Sequence, residues 1–195
     1  MSHASRRSFL KECSVFTAGV VTGSYFLKSV GVFAGAETEK SSGAEARVRQ
    51  LGLKLRKASK PAAPFEPAVR VGNMLYLSGH GPRKPEGGFV KGKVGKTLSL
   101  EQGQAAARLV GLDMLSTIRG ELESLDKVVR LVKVTGMVNS TDDFTQHPQV
   151  INGFSELMIE VFGEKAGKGA RSAVGMSGLP FGMPVEIEAI FQVRN

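Results

Sequence analysis

The run Pro184-Val185-Glu186-Ile187-Glu188-Ala189-Ile190 decides the fold prediction, together with Gly169-Ala170-Arg171-Ser172-Ala173-Val174-Gly175 just before it. Side chains alternate between the two faces of a strand, so this spacing puts Glu186 and Glu188 on one face and the apolar residues between them on the other. In the earlier run, Arg171 stands at the start of an apolar stretch. The two runs therefore predict paired strands that carry a site, with one charged face and one buried face.

Arg171 allows two interpretations. A guanidinium can grip a planar carboxylate through two parallel hydrogen bonds, which favours a carboxylate-binding site if Arg171 leaves its strand beside the charged face. The alternative is a structural ion pair between Arg171 and one of the glutamates, because such pairs are common in proteins. The pattern by itself leaves both interpretations open.

The remaining elements predict a single α+β domain. Ser99 or Thr97 begins a long helix, and Gln102 stands where it completes a capping box with Ser99. Gly72-Asn73 separates the first two strands in the manner of a hairpin turn. Strands are predicted over 68–71, 73–78, 89–94, 126–139, 171–176 and 185–193, and helices over 45–57, 99–119 and 148–162. Two long helices against an antiparallel or mixed sheet form an α+β layer arrangement.

Three groups of motifs, in order along the chain, resemble those of one known family. The first is Val71-Gly72-Asn73-Met74-Leu75-Tyr76-Leu77-Ser78-Gly79, and the second is Lys133-Val134-Thr135-Gly136-Met137-Val138 followed by Val150-Ile151-Asn152-Gly153-Phe154. The third comprises the two runs quoted at the outset. Over about residues 64–194 the chain resembles the Rid/YjgF family of reactive-intermediate deaminases, also called endoribonuclease L-PSP. The resemblance implies a chorismate-mutase-like fold, a mixed sheet covered by two long helices.

The resemblance also implies which residues form the site. Arg171 matches the family's arginine for the substrate carboxylate, and Glu186 matches the glutamate associated with the catalytic water. Asn152 matches a polar residue that lines the same pocket. Ser78 and Gly79 match the turn at the pocket floor.

Two positions depart from the deaminase pattern. Phe65 stands where active members usually have Tyr, and Ala173 stands where many have Cys. Losing a phenol hydroxyl and a thiol removes two groups that orient substrate or water, while the carboxylate clamp stays in place. Ligand binding is therefore better supported by the sequence than turnover.

The resemblance implies hydrolysis of an enamine or 2-imino acid to a 2-keto acid and ammonia, with no metal or organic cofactor. It also implies a homotrimer whose pockets lie between neighbouring subunits and take a small carboxylate-bearing molecule. One alternative is a non-catalytic protein that binds small carboxylates through Arg171. Another is nuclease action, a label attached to some relatives, although the sequence has no paired-histidine or metal-carboxylate constellation for cleaving phosphodiesters.

The amino-terminal segment predicts export. Ser5-Arg6-Arg7-Ser8-Phe9-Leu10-Lys11 has the form of a twin-arginine motif, and Ala34-Gly35-Ala36 has the form of a cleavage site. The weakly apolar stretch over 13–27 is shorter than the roughly 20 residues that span a bilayer. We therefore expect recognition by the twin-arginine export machinery, a periplasmic or secreted location, and no stable membrane association after cleavage; an uncleaved anchor is the alternative. The predicted organisation is a cleaved signal peptide over 1–36, a linker and short helix over 37–63, and the Rid/YjgF-like domain over 64–195.

Composition and charge indicate which classes of partner the protein is expected to bind. The formal net charge is +8, and residues 1–36 account for +3 of it. The sequence has no Trp, and it has no clear interleaving of aromatic and basic residues of the kind that stacks single-stranded bases. A moderately basic surface without a specific nucleic-acid partner is therefore predicted. The only cysteine, Cys13, lies in the predicted signal peptide, so the mature protein is expected to have no disulfide.

Histidines and glycines provide two further negative predictions. His80 and His147 are far apart and have no cysteine to complete a metal-ligand set, so no zinc site is predicted. His80 follows Ser78-Gly79 and is expected to be a solvated loop residue at the border of the pocket. The segment over 163–169 lacks the spacing and hydroxyl of a phosphate loop and is expected to be a mobile basic loop.

Overall fold

The computed structural model describes residues 43–58 and 63–194, so the predicted signal peptide lies outside the described residues. Within them, the strands are Ala68–Val71 (β1), Met74–His80 (β2), Val128–Asn139 (β3), Ala170–Met176 (β4) and Val185–Val193 (β5). The helices are Ala44–Gln50 (α1), Leu100–Leu122 (α2), His147–Phe162 (α3) and Glu164–Gly167 (α4).

The strands form one mixed sheet in the order β1-β2-β5-β3-β4. All neighbouring pairs are antiparallel except β3 and β4, which are parallel. A parallel pair needs a crossover connection, and α3 with α4 provides it. Helices α2 and α3 pack against the sheet and against each other. This arrangement confirms the predicted α+β fold.

The two faces of the sheet differ as the alternation predicts. Along β5, Val185, Ile187 and Ala189 are buried, whereas Glu186 is half-buried and Glu188 is exposed. The buried face of the sheet joins the apolar sides of α2 and α3 in one core, whose largest fully buried side chains include Leu75, Met114, Phe154 and Phe191. The charged face, with the glutamates, is the face away from the core.

Helix α2 begins where its capping signal predicts. The Ser99 hydroxyl accepts a hydrogen bond from the Gln102 amide at 3.3 Å, and the Gln102 side chain accepts one from the Ser99 amide at 2.8 Å. This reciprocal pair satisfies two backbone donors that a helix start leaves without partners. The helix continues to Leu122, past the predicted end at Arg119, and Glu123 then turns into the left-handed region at φ 66°.

Two predicted elements are wrong or too long. No strand forms over 89–94, where isolated bridges join Phe89 to Arg83 and Val94 to both Leu98 and Ser140. Gly92, at φ 140°, is outside the conformation of a regular strand. The helix predicted over 45–57 ends at Gln50, because Gly52 at φ 63° turns the chain.

Two loop predictions also change. The segment predicted as a mobile basic loop over 163–169 contains α4, with Gly167 buried and Lys168 paired with Glu164. Residues 125–127, partly assigned to the strand from Asp126, form a 3₁₀ turn before β3 begins at Val128. Among the described helices, none is long and apolar enough to cross a membrane.

Candidate functional site

A cavity of about 510 Å³ lies where β2 and β5 separate from regular pairing. Four residues predicted from the sequence line it, namely Phe65, Ser78, Gly79 and Glu186. The structure therefore brings most of the predicted site together, but Arg171 and Asn152 do not line this cavity.

A bulge in β2 shapes the cavity floor. Leu77 pairs with Ala189 and His80 pairs with Ile187, so Ser78 and Gly79 form an irregular step between the two pairs. Both the amide and the hydroxyl of Ser78 donate to the Pro67 carbonyl, at 3.1 and 3.3 Å. Because the hydroxyl donates inward, its oxygen lone pairs are left to accept a hydrogen bond from a ligand or water.

Glu186 packs directly against this bulge. A Cβ atom at position 79 would collide with Oε1 of Glu186, so only glycine lets the carboxyl group sit there. Burial raises the pKa of Glu186, and the nearby charge of Glu188 raises it further. Glu186 therefore holds a proton more strongly than an exposed glutamate does.

Arg171 lies on the edge strand β4 and points toward the helices. Its Nη1 donates to Oδ1 of Asn152 at 2.9 Å and to Oγ of Ser155 at 3.0 Å. Both acceptors lie on α3, three residues apart and hence on one side of that helix. Asn152 is thus a neighbour of Arg171, and Ser155 is a contact that the sequence analysis missed.

Arg171 and Glu186 lie on opposite faces of the sheet. Arg171 pairs with buried Val134, whereas Glu186 pairs with Met137 on the face away from the core. Strand β3 also separates their two strands. Among the described residues, the ion pair between Arg171 and a glutamate that the sequence left open does not form.

Behind the bulge, the cavity reaches His80, which the sequence analysis placed at the pocket border as a solvated residue. His80 is only 7 % exposed, so the prediction of a solvated loop residue is wrong. Its Nδ1 donates to the Ser78 carbonyl at 2.7 Å, and Nε2 lies 2.9 Å from the Thr117 hydroxyl. Burial lowers the pKa of His80, which favours the neutral ring with Thr117 as donor to Nε2. His80 therefore fixes the bulge from the core side.

A charged group of Arg56, Arg83 and Asp113 completes the lining on this side. Asp113 is 7 % exposed, and its Oδ1 accepts from Arg56 Nε at 2.6 Å and from Nη2 of the same side chain. Arg83 Nε lies 3.8 Å from the same oxygen. Asp113 occupies a position on α2 where the helical spacing predicts an apolar residue. A carboxylate at such a position is the sequence feature that could have indicated the cluster of Arg56, Arg83 and Asp113.

Aromatic side chains form part of the cavity wall. Phe89 and Phe181 stack with ring centroids 5.8 Å apart and planes 4° from parallel. Phe181 is 72 % exposed and Phe65 is 51 % exposed, which is unusual for large apolar side chains. These rings offer an apolar surface to a ligand or to another protein chain.

His147 lies apart from this cavity. Its Nε2 is 3.0 Å from the Ser140 hydroxyl, and its ring meets Phe144 edge-on. Within the described part of the chain, no three His, Cys, Asp or Glu side chains gather in a group that could hold a metal ion.

Comparison with known proteins gives consistent matches. The family model named Endoribonuclease L-PSP matches residues 55–193. Protein TCP17 of Trypanosoma cruzi is 41 % identical over 150 residues, which cover 77 % of this chain and 94 % of TCP17. The crystal structure of Agrobacterium tumefaciens Atu1372 is similar at a TM-score of 0.71 and 38 % identity, covering 78 % of this chain and 94 % of Atu1372.

A more distant structure contains a ligand. The crystal structure of Escherichia coli TdcF with bound serine matches at a TM-score of 0.52 and 25 % identity. The match covers 73 % of this chain and 97 % of TdcF.

Proposed function

Because the chain belongs to the Rid/YjgF family, to which the endoribonuclease L-PSP model corresponds, we propose that it hydrolyses enamines or 2-imino acids to 2-keto acids and ammonia. The observation that carries the proposal is the carboxyl group of Glu186, which lies against the Ser78-Gly79 bulge in a cavity of about 510 Å³. Its raised pKa supports a role in moving protons.

The chemistry needs a base and a proton donor at one carbon atom. The Glu186 carboxylate takes a proton from water while the water oxygen bonds to the imine carbon, and the C=N double bond becomes a C–N single bond. The substrate is the protonated imine, so its nitrogen is a neutral amine once water has added. The Glu186 carboxyl group gives its proton to this nitrogen, the C–N bond breaks to release ammonia, and the new hydroxyl group returns its proton to Glu186 as the carbonyl forms. A raised pKa makes the ionised carboxylate a stronger base for the first step and keeps the proton on the group until the nitrogen takes it.

A second copy of the chain supplies the carboxylate clamp in this proposal. Arg171 is on an edge strand and on the other face of the sheet from Glu186 of its own chain, so an adjacent subunit is needed to bring an arginine to each cavity. We assign a homotrimer with its sites between subunits. Exposed apolar side chains on the strands support assembly, among them Val69, Tyr76 and Val174.

One observation favours a second candidate function. Phe65 lines the cavity and brings a ring without a hydroxyl, so it cannot donate to a ligand or water. A non-catalytic protein that binds small carboxylates would use the same cavity and Arg171. The serine bound to TdcF is a small carboxylate-bearing ligand on a related fold.

Release of ammonia separates the two candidates. The imine is generated in situ by an amino-acid oxidase, and its disappearance is followed with ammonia and keto-acid release. We expect acceleration by the wild-type protein and at least a tenfold loss in Arg171→Ala and in Glu186→Gln. Arg108→Ala is the matched control, because Arg108 pairs with Glu160 on the surface of the helices away from the cavity. Binding of keto acids without any acceleration would instead establish the binding function.

Export is a separate part of the proposal. The twin-arginine motif at Arg6-Arg7 supports a cleaved signal peptide over 1–36 and a periplasmic or secreted protein. We expect the protein to be found outside the cytoplasm of a bacterial host, shortened at Ala36, and to stay inside when both arginines are changed to lysine. Export of that double variant at the wild-type level would contradict the assignment.

A further inference from the structure

We propose that Arg83, supported by Arg56, forms an anionic subsite in the cavity beside Glu186, so that the preferred ligands carry a second carboxylate. The inference rests on the proposed function, because it names the substrate class of that same cavity: 2-imino or 2-keto dicarboxylates. Arg171 of another subunit holds the first carboxylate, and Arg83 holds the second.

Charge balance is the first reason. Asp113 is the carboxylate that meets both guanidinium groups, and its Oδ1 receives two hydrogen bonds from Arg56. Arg83 approaches the same oxygen only to 3.8 Å, beyond hydrogen-bonding distance. Glu186, which also lines the cavity, forms no ion pair with either arginine. One positive charge is therefore left incompletely matched.

The second reason is a donor without an acceptor. The Nε atom of Arg83 is buried and makes no hydrogen bond within the described chain. A buried donor without a partner destabilises the protein that contains it. The side chain as a whole is 34 % exposed and lines the cavity, so its guanidinium remains accessible to a ligand. A carboxylate there would gain charge-assisted hydrogen bonds from a group that is poorly paired in the free protein.

The third reason is that Arg83 is held in position without using its donors. Its Cζ lies 4.6 Å from the centroid of the Phe89 ring, and Phe89 stacks on Phe181. A guanidinium that stacks on an aromatic face keeps its N–H groups free in its own plane. Binding then costs little side-chain entropy, because the donor group is already placed.

Further positively charged side chains lie in a second cavity next to Arg83. Arg56 and Arg83 also line a second cavity, of about 370 Å³, whose other charged residues are Lys54, Lys84 and Asp113. Among the described residues, four cations and one carboxylate therefore line the second cavity, and Glu186 lies in the first. Their combined potential favours an anion at Arg83 over a neutral group of the same size.

Calorimetric titration of the whole protein with 2-keto acids tests the inference without requiring turnover. The dicarboxylates are 2-oxoglutarate and 2-oxoadipate, and the matched ligand is 5-methyl-2-oxohexanoate, in which a branched apolar end replaces the distal carboxylate of 2-oxoglutarate. We expect the better dicarboxylate to bind at least tenfold more tightly than the matched ligand at constant ionic strength. Arg83→Gln should abolish this preference and leave the affinity for 5-methyl-2-oxohexanoate within about twofold. Arg83→Lys should retain part of it.

Arg108→Gln is the control, because Arg108 has a similar side-chain exposure, 37 %, and a carboxylate partner on the surface. This variant should keep the full preference. Thermal unfolding checks that each variant folds, and equal affinities of the wild-type protein for the two kinds of ligand overturn the inference even where Arg83→Gln does not fold.

The possible outcomes separate this inference from the proposed function. Equal affinities of the wild-type protein for mono- and dicarboxylates would overturn the subsite while leaving imine hydrolysis in place. A preference that persists in Arg83→Gln would also overturn it. A preference lost in Arg83→Gln, in a protein that hydrolyses no imine, would support the subsite and overturn the enzymatic proposal. Binding of no keto acid at all would overturn the subsite and the non-catalytic binding function, and ammonia release would then decide imine hydrolysis.

Discussion

At the scale of single residues, the environment of Glu186 is built by its neighbours. Gly79 leaves room for the carboxyl group, and burial together with Glu188 raises its pKa. Ionisation of Glu186 therefore costs native-state stability. The free energy of unfolding falls, through this group, as pH rises from the pKa of an unfolded glutamate to the higher pKa of Glu186 in the folded protein.

Replacing Glu188 by Gln should move the acid limb of the pH profile. The charge of Glu188 raises the pKa of Glu186, so removing this charge lowers that pKa and keeps the Glu186 carboxylate ionised to lower pH. We expect the acid limb of kcat/KM for imine hydrolysis to shift to lower pH, with the plateau little changed. Initial rates of imine hydrolysis, measured across the pH range, give the position of the acid limb in each protein.

The matched control is Glu121→Gln, because Glu121 is an exposed glutamate near the end of α2. Its profile should overlay that of the wild type. The titration of the imine itself is the same in all three proteins, so it cancels in the comparison. An acid limb that stays in place in Glu188→Gln would show that Glu186 is not the group that titrates.

At the scale of secondary structure, the sequence predicts the regular elements well and the irregular ones poorly. The alternation from Val185 onward and the Ser99 capping box are local signals, and both are confirmed. The segment near Phe89 has β-forming residues, but glycines such as Gly92 hold backbone angles that no strand uses. Hydrophobic pattern alone does not reveal that conflict.

The candidate site also has parts that the sequence predicts and parts that it does not. Asn152 and Arg171, which the resemblance assigns to one pocket, are in contact, but Glu186 of the same chain lies on the other face of the sheet. The sequence analysis missed the cluster of Arg56, Arg83 and Asp113. Arg56 and Arg83 lie on two different loops and Asp113 lies on α2, and these segments are distant in the sequence. His80 was assigned to a loop, because a bulge in β2 that turns two successive positions out of register leaves no periodic signal.

Replacing Gly79 by Ala should disable the site while the fold survives. A methyl group there would collide with the Glu186 carboxyl group, a flexible side chain that can move away. We expect at least a tenfold loss of kcat/KM for imine hydrolysis, while the protein stays folded with a stability loss of about 1–3 kcal/mol, as for other overpacked positions. Steady-state kinetics and urea unfolding measure the two effects.

Gly178→Ala is the matched control. A Cβ at position 178 meets no atom within 4 Å, and the backbone there is not in the left-handed region. This variant should keep wild-type kinetics and stability. Full activity of Gly79→Ala would mean that the position of the Glu186 carboxyl group against the bulge is not required.

At the scale of the whole molecule, the sheet itself separates the two halves of the proposed site. Glu186 and the bulge face one way, and Arg171 with Asn152 faces the other. A side chain cannot cross a sheet that is packed on one face by helices. One chain therefore presents two incomplete half-sites. In the proposed homotrimer, the arginine edge of each subunit lies beside the glutamate face of the next and completes them.

Mixing two inactive variants tests this arrangement directly. Arg171→Ala keeps Glu186, and Glu186→Gln keeps Arg171, so neither homotrimer has a complete site. In mixed trimers, some interfaces pair the intact arginine of one subunit with the intact glutamate of the next. When the two variants assemble at random from equal amounts, half of the subunits have an intact Arg171 and the other half an intact Glu186. An interface has both intact residues with a probability of one quarter, so about a quarter of wild-type activity should return.

The two variants are co-expressed with different tags, purified through both, and assayed for imine hydrolysis after light scattering confirms the trimer mass. Purification through both tags enriches mixed trimers, each with one complete site in three, so the measured activity should rise toward about a third of wild type. A site built within one subunit predicts no recovery in any mixture, and that result, or a monomer mass, would require Arg171 to act at a different site from Glu186.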